Sequence, residues 1–222
     1  RDSKALDIYA SIYDPSGDSD PPTVSHSAAS TAASGSDATI SAVITDNDGI
    51  DYARIYYRKG GSAAFYYSEM SNASGSTYTG IIPATSITET GTEYYLSVTD
   101  LSGNTTTDPV SNPVTNPYTI RVSYTNLSCP NQNDAENYRM ISVPGDLDNT
   151  SVSSVLEDDL GSPDRTQWRL VRGQDETYLE YGIDSNIDDF KPGNAFWLIT
   201  KQDRNWDTGS GTSISTASDY TI

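Results

Sequence analysis

The sequence predicts an all-β fold in two sandwich-like parts, and three observations carry that reading. Tyr outnumbers Phe 16 to 3, and a ring with a wet hydroxyl suits a half-buried pleated surface. Short strand-like stretches recur at intervals of about 8 to 15 residues, each closed by Gly, Pro, Asn or Asp. The 222 residues hold two sandwich domains of about 100 residues each.

Residues 5–13 read as a first strand with Leu6, Ile8 and Ile12 on one face. An acidic, Pro-rich turn segment, Asp14 to Pro22, cuts it off from the rest of the chain. A lone strand is unstable, so this one must pair within the chain, with a preceding domain or with another copy. Between residues 22 and 124 strands are expected at 38–44, 52–58, 64–70, 77–82, 93–99 and 118–124. Turn sequences such as Asp46-Asn47-Asp48-Gly49 and Gly60-Gly61 separate them.

This stretch resembles bacterial immunoglobulin-like or fibronectin type III-like surface domains. The resemblance rests on Asp20 to Pro22, Ile40 to Ile50, Tyr56 to Arg58, Ile82 to Ala84 and Glu93 to Asn104. It implies an immunoglobulin-like sandwich and says little of function.

Residues 125–222 predict a second β-rich domain with one short helix. Strands are expected at 138–144, 167–172, 177–181 and from Phe196 to Ile199. The helix runs from Ser151 to Leu160, with Val152, Val155, Leu156 and Leu160 on one face and Gly161 after its end. This half is similar to a β-rich module near the C-termini of large secreted bacterial proteins. The residues that carry the likeness are Met140 to Pro144, the Trp168 strand, Glu180-Tyr181 and Phe190 to Ile199. In that family a further strand comes after a Tyr-x-Ile stretch, and here the sequence ends at Tyr220-Thr221-Ile222. The implied organisation is a strand and linker at 1–21, a sandwich at 22–124 and a second domain at 125–222 whose last strand is either cut off or supplied from elsewhere. The sequence opens without Met or a signal peptide, as expected of a processed product or a piece of a longer chain.

Charge narrows the partners. The formal net charge is −18 and the pI near 4.1, so nucleic acid and anionic lipid are poor partners. No stretch is long and apolar enough to span a bilayer. Cys129 is the single cysteine, so no disulfide forms within the chain; the thiol is either buried or paired with another chain.

Catalytic motifs are weak. His26, the only histidine, lies in a Ser/Ala-rich stretch and is expected in an exposed loop. No His partner stands near Cys129 in sequence, and no Gly-rich loop opens a helix after a strand. With 31 acidic residues, carboxylate pairs arise by chance and carry little evidence for glycosidase chemistry. The chain is read as non-catalytic.

Calcium is the sharper expectation. In an immunoglobulin-like sandwich the chain entry, the B–C loop and the F–G hairpin share one pole. That would gather Asp14, Asp18, Asp20, Asp46, Asp48, Asp51, Asp100 and Asn104. A hard cation with six to eight oxygen ligands relieves such crowding. The competing account is that each Asp caps its own turn.

Asn-x-Ser/Thr sequons stand at Asn72, Asn104, Asn126 and Asn149, at a frequency that chance explains in so Ser/Thr-rich a chain. Adjacent tyrosines at 56–57, 66–67 and 94–95 point to opposite sheet faces. The outward set forms either a stiffening cross-strand ladder, the favoured reading, or a glycan- or protein-binding platform. Trp168 and Trp197 are expected in the core.

Together these features predict an extracellular, cell-surface or secreted structural and adhesive segment of a bacterial protein. It would assemble with other copies or neighbouring domains by strand sharing through Leu6, Ile8 and Ile12. The rival prediction is a carbohydrate-binding accessory module of a secreted enzyme.

Overall fold

The computed structural model describes residues 17–129, 137–174, 176–184, 187, 189–202 and 204–214. The expected strand at 5–13, Asp14 and the C-terminal Tyr-x-Ile stretch lie outside those residues. Among the described residues nine strands build the first part: β1 (Thr23–His26), β2 (Thr31–Ala33), β3 (Ala38–Thr45), β4 (Ile50–Lys59), β5 (Tyr66–Ser74), β6 (Thr77–Ile82), β7 (Thr92–Asp100), β8 (Thr105–Asp108) and β9 (Tyr118–Tyr124).

They form an immunoglobulin-like sandwich. One sheet has the order β1-β3-β6, and the other runs β5-β4-β7 with β8 and β9 sharing the far edge of β7. Strict alternation drives the packing. Ile40, Ala42 and Ile44 of β3 meet Ile55, Leu96 and Val98 of the facing sheet in one buried cluster. Each Ile, Leu or Val side chain of this set contributes about 1.5–3 kcal/mol on burial. Strand β5 bridges the sheets, pairing with β4 through Met70 and with β6 from Ser71 onward. Gly80 makes that crossing feasible: a Cβ there would sit 2.7 Å from Ile55 and 3.1 Å from the Glu69 carbonyl.

Strands β1, β2 and β8 escape the alternation pattern because Ser, Ala and Thr dominate them. Their places come from pairing instead. β2 lies parallel to β9, β1 is antiparallel to β3 and β8 to β7.

His26 corrects the expectation of an exposed loop residue. It ends β1, and its side chain is only 1% exposed. Nδ1 lies 3.1 Å from Asp108 and Nε2 3.0 Å from the Tyr94 hydroxyl. That hydroxyl accepts the Ala29 amide, while Tyr118 donates to Asp108. The network fastens β1 to β7, β8 and β9, which a strand with one half-buried valine cannot achieve by apolar burial. Burial pushes Tyr118 up to about 12, with its bond to Asp108 adding to the effect.

The second part contains β10 (Ser128–Cys129), β11 (Arg139–Ile141), β12 (Gly145–Leu147), β13 (Trp168–Gln174), β14 (Thr177–Glu180), β15 (Phe196–Thr200), β16 (Trp206–Asp207) and β17 (Gly211–Ser213). Four of them form a sheet of order β11-β15-β13-β14. The expected strand at 138–144 is shortened to β11, and β12, in the other sheet, begins only after Pro144, which lacks the N–H that would continue a ladder. The helix is a π-type stretch, Ser153–Glu157, running into an α-turn, Asp158–Leu160. Its predicted face is right: Val152, Val155, Leu156 and Leu160 pack with Leu170, Phe196, Leu198 and Trp206. Trp168 joins this core, but Trp197 is 41% exposed, contrary to expectation, because it alternates out of phase with Phe196 and Leu198. No helix among the described residues is long and apolar enough to cross a membrane.

Strand β17 joins the two parts. It pairs with β9 on one side and β12 on the other, so one ladder runs from β7 through β9 to β12. The Val122 amide donates to Ser213 Oγ, and Arg121 donates to both the Ser213 carbonyl and Asp146. Tyr124 enters this joint between two glycines. A Cβ at Gly145 would lie 2.6 Å from both the Thr212 carbonyl and the Tyr124 hydroxyl; one at Gly211 would lie 2.6 Å from that hydroxyl and 2.7 Å from the Asp146 carbonyl.

Gly145→Ala should therefore destabilise the chain by about 1–3 kcal/mol in denaturant melts, since backbone lines the clash. Tyr124→Phe should be neutral or stabilising by up to about 1 kcal/mol, because the buried hydroxyl has no partner among the described residues; a large loss would refute that account. The histidine gives a pH prediction. Burial, opposed by Asp108, lowers the His26 pKa below 6.5, so folding favours the neutral ring. Its contribution is complete above the unfolded-state value of about 6.5 and is lost as the pH falls from there toward the folded-state value. Wild-type melting temperature should decline from about pH 7 to about pH 5.5, and His26→Gln should flatten that decline while lowering stability at pH 7.

Candidate metal centre

One pole of the sandwich collects three loops, and each is shaped by its own hydrogen bonds. In the β3–β4 loop, Asp46 Oδ1 accepts the amides of Asp48 and Gly49. Gly49 supplies the positive φ, 106°, that turns the chain into β4. In the β7–β8 hairpin, Asp100 Oδ1 accepts the Asn104 amide and Oδ2 the Asn104 side chain. The entering segment is anchored when Asn104 Nδ2 donates to the Asp18 carbonyl and Asn47 Nδ2 to Asp18 Oδ1.

These bonds bring carboxylate oxygens of Asp18, Asp46 and Asp100 within 4.8 Å of one another. Asp100 is 1% exposed. Among the described residues no ion pair reaches any of the three. Asp18 Oδ2 is buried with no hydrogen-bond partner. Burial opposes the charge on Asp100, yet bonds from Asn104 and from the Gly103 and Ser102 amides together hold its carboxyl below the ordinary range. The pole therefore presents ionised oxygen to a common point, with one oxygen left unsatisfied. Carboxylates so placed repel unless a cation lies between them, and an all-oxygen set suits Ca2+.

The other expected ligands divide. Asn104 belongs to the pole, but its amide nitrogen is spent on holding Asp18 and Asp100. Asp20 is exposed and donates its own amide to Asp18. Asp48 is exposed and accepts from Ser102. Asp51 is exposed at a bulge in β4, outside the cluster. Turn capping and convergence thus coexist: Asp46 caps its turn with one oxygen and offers the other.

The sequons differ in accessibility, and the two lone reactive side chains are engaged or protonated. The Asn104 side chain is engaged, so a glycan there would break the anchor of the entering chain. Asn72, Asn126 and Asn149 are exposed, with Asn72 donating to the Gly75 carbonyl and Asn126 to Asp207. Cys129 is half-buried and unpaired; burial, with Asp207 adding to it, pushes the thiol up to about 11, so it is no thiolate nucleophile at neutral pH. Both ring nitrogens of His26 are committed to Asp108 and Tyr94.

The outward tyrosines of the first part pack as a ladder. Tyr56 stacks on Tyr95 at 5.0 Å and 4° and leans on Tyr67 at 5.7 Å. Phe65 meets Tyr95 edge-on. Arg54 lies over Tyr52 and Tyr67, and Arg58 over Phe65. Their charges are answered by Glu69 and Glu93. Ring faces so occupied stiffen the sheet.

No protein-family model matches the chain, and a search of curated proteins finds no match. Solved structures are similar to it, two of them as follows. "Anomalous substructure of Titin-A168169" shares 10% identity over 86% of this chain and 95% of that one, with a TM-score of 0.39. The N-terminal Ig1-2 module of Drosophila receptor protein tyrosine phosphatase DLAR shares 10% identity over 88% of this chain and 96% of that one, with a TM-score of 0.32. At such identity and superposition these likenesses carry no inference about activity or partners.

Proposed function

We propose that this chain is a non-catalytic extracellular segment of a bacterial surface protein, a spacer whose acidic pole binds Ca2+. The observation that carries the calcium reading is the convergence of Asp18, Asp46 and Asp100 with the buried, unpartnered Asp18 Oδ2. A cation there ties the entering chain to the β3–β4 loop and the β7–β8 hairpin, which braces the pole against whatever precedes it. The ladder through β9, β17 and β12 supports the spacer half of the reading, since a hydrogen-bonded joint resists bending better than a free linker. The net charge of −18 favours divalent counter-ions over nucleic acid or anionic membrane. Assembly with other copies through Leu6, Ile8 and Ile12 completes the proposal and rests on the sequence alone.

Adding Ca2+ at a hundredfold excess over its dissociation constant should stabilise the chain by about 2.7 kcal/mol, seen as a rise in melting temperature that EDTA reverses. Asp18→Asn should abolish the rise and leave the calcium-free chain as stable or more so, because it removes one of three repelling charges. Asp51→Asn should change neither. Calorimetry showing no heat of Ca2+ binding, or an undiminished response in Asp18→Asn, would overturn the site. Strand sharing predicts polymers in negative stain that Leu6→Asp and Ile8→Asp disperse; a monomer with residues 5–13 paired internally would refute it.

A further inference from the structure

The helix covers one face of the β11-β15-β13-β14 sheet and leaves the other open. Register places Met140, Trp197, Val171 and Glu180 in one row across its four strands. Tyr138 stands two residues before Met140, at the entry to β11, and Tyr178 two residues before Glu180 on β14. Tyr178 is 75% exposed, Tyr138 43% and Trp197 41%, whereas Trp168 and Trp206 are each 4% exposed. A shallow groove of about 460 Å³ runs among Tyr138, Arg169, Val171, Tyr178 and Trp197.

Two features separate this face from the tyrosine ladder. Among the described residues no ring or cation stacks on Tyr138, Tyr178 or Trp197, so their faces are open. The charged side chains lining the grooves are also basic. Of 13 basic residues in a chain carrying −18, Arg165, Arg169 and Lys201 border this groove and its neighbour. Their acidic companions are Glu180, largely buried and held by both arginines, and Asp164 beside Lys201. The residues lining the two grooves thus include three basic side chains and no acidic one, with guanidinium groups close to aromatic planes.

We propose that this face binds an acidic polysaccharide, with sugar rings lying on Trp197 and Tyr178 and carboxylates meeting Lys201 and the terminal nitrogens of Arg165, since Nε and Nη2 of Arg169 are held by Glu180. Open aromatic faces receive the apolar side of a pyranose, and arginine engages carboxylates through paired N–H groups. Strand spacing sets β15 and β14 roughly 10 Å apart, which suits an extended ligand over a single sugar. The site lies apart from the acidic pole and does not depend on calcium there.

Tryptophan fluorescence tests this directly, since Trp197 is the exposed indole. The intact chain is titrated in EDTA with polygalacturonate, with neutral dextran and with poly-glutamate. Polygalacturonate should shift the emission, and Trp197→Ala and Tyr178→Ala should each weaken binding about tenfold or more by affinity electrophoresis. Arg165→Ser with Lys201→Ser should weaken binding and reduce its salt dependence, while Tyr66→Ala, in the other part of the chain, should change nothing. Circular dichroism confirms that the variants, all at exposed positions, stay folded. Absence of polygalacturonate binding, equal binding of dextran or of poly-glutamate, or full affinity in Trp197→Ala would overturn the proposal.

Discussion

Strand β9 serves two cores, and that sharing governs the rest of the structure. Ile120 and Val122 close the first hydrophobic cluster, and Tyr124, two residues on, opens the second. Alternation along one strand would put all three side chains into a single core. They diverge because β9 outruns its pairing with β7, which ends at Tyr118–Ile120, and takes β17 as its next partner at Ser123 and Tyr124. The joint is therefore part of a sheet, with no linker between the parts. Gly145 and Gly211 have to lack a side chain so that β12 and β17 can pack against the Tyr124 ring.

Much of this architecture was legible because apolar alternation and turn residues agree. Thr77–Ile82 and Tyr118–Tyr124 fall where the pattern places them, and the apolar stripe at 152, 155, 156 and 160 identifies the buried helix face. The elements that stayed hidden are held by groups without that signature. β1 rests on a buried imidazole, two tyrosines and Asp108, and nothing in Thr23-Val24-Ser25-His26 announces a strand. β17 is Gly-Thr-Ser, placed by Ser213 Oγ and by two backbone ladders. Long-range pairing of this kind depends on residues about 90 positions away, which local patterns do not encode.

The acidic pole shows the same division. Sandwich topology alone points to the right loops, and Asp18, Asp46, Asp100 and Asn104 are there. Which of eight acidic and amide candidates converge was not legible, because it turns on single hydrogen bonds. Asp46 faces inward as its other oxygen caps the turn, while Asp48 is drawn away by Ser102. Asp51 is displaced because β4 bulges at that residue.

Trp197 marks where pattern reading erred, and the error is physically informative. A tryptophan between two phase-matched core residues, Phe196 and Leu198, looks like part of a continuous buried run. A run of that kind fits a strand covered on both faces. This sheet is covered on one, so the out-of-phase residues of β15 and β11 emerge as Trp197 and Met140, with Tyr138 beside them and arginine close by. Exposing several large apolar groups together opposes solubility, and the strong net charge of the chain offsets that cost. Against a surface so rich in acidic residues, the basic side chains beside Trp197 and Tyr178 give an anionic chain a place to approach.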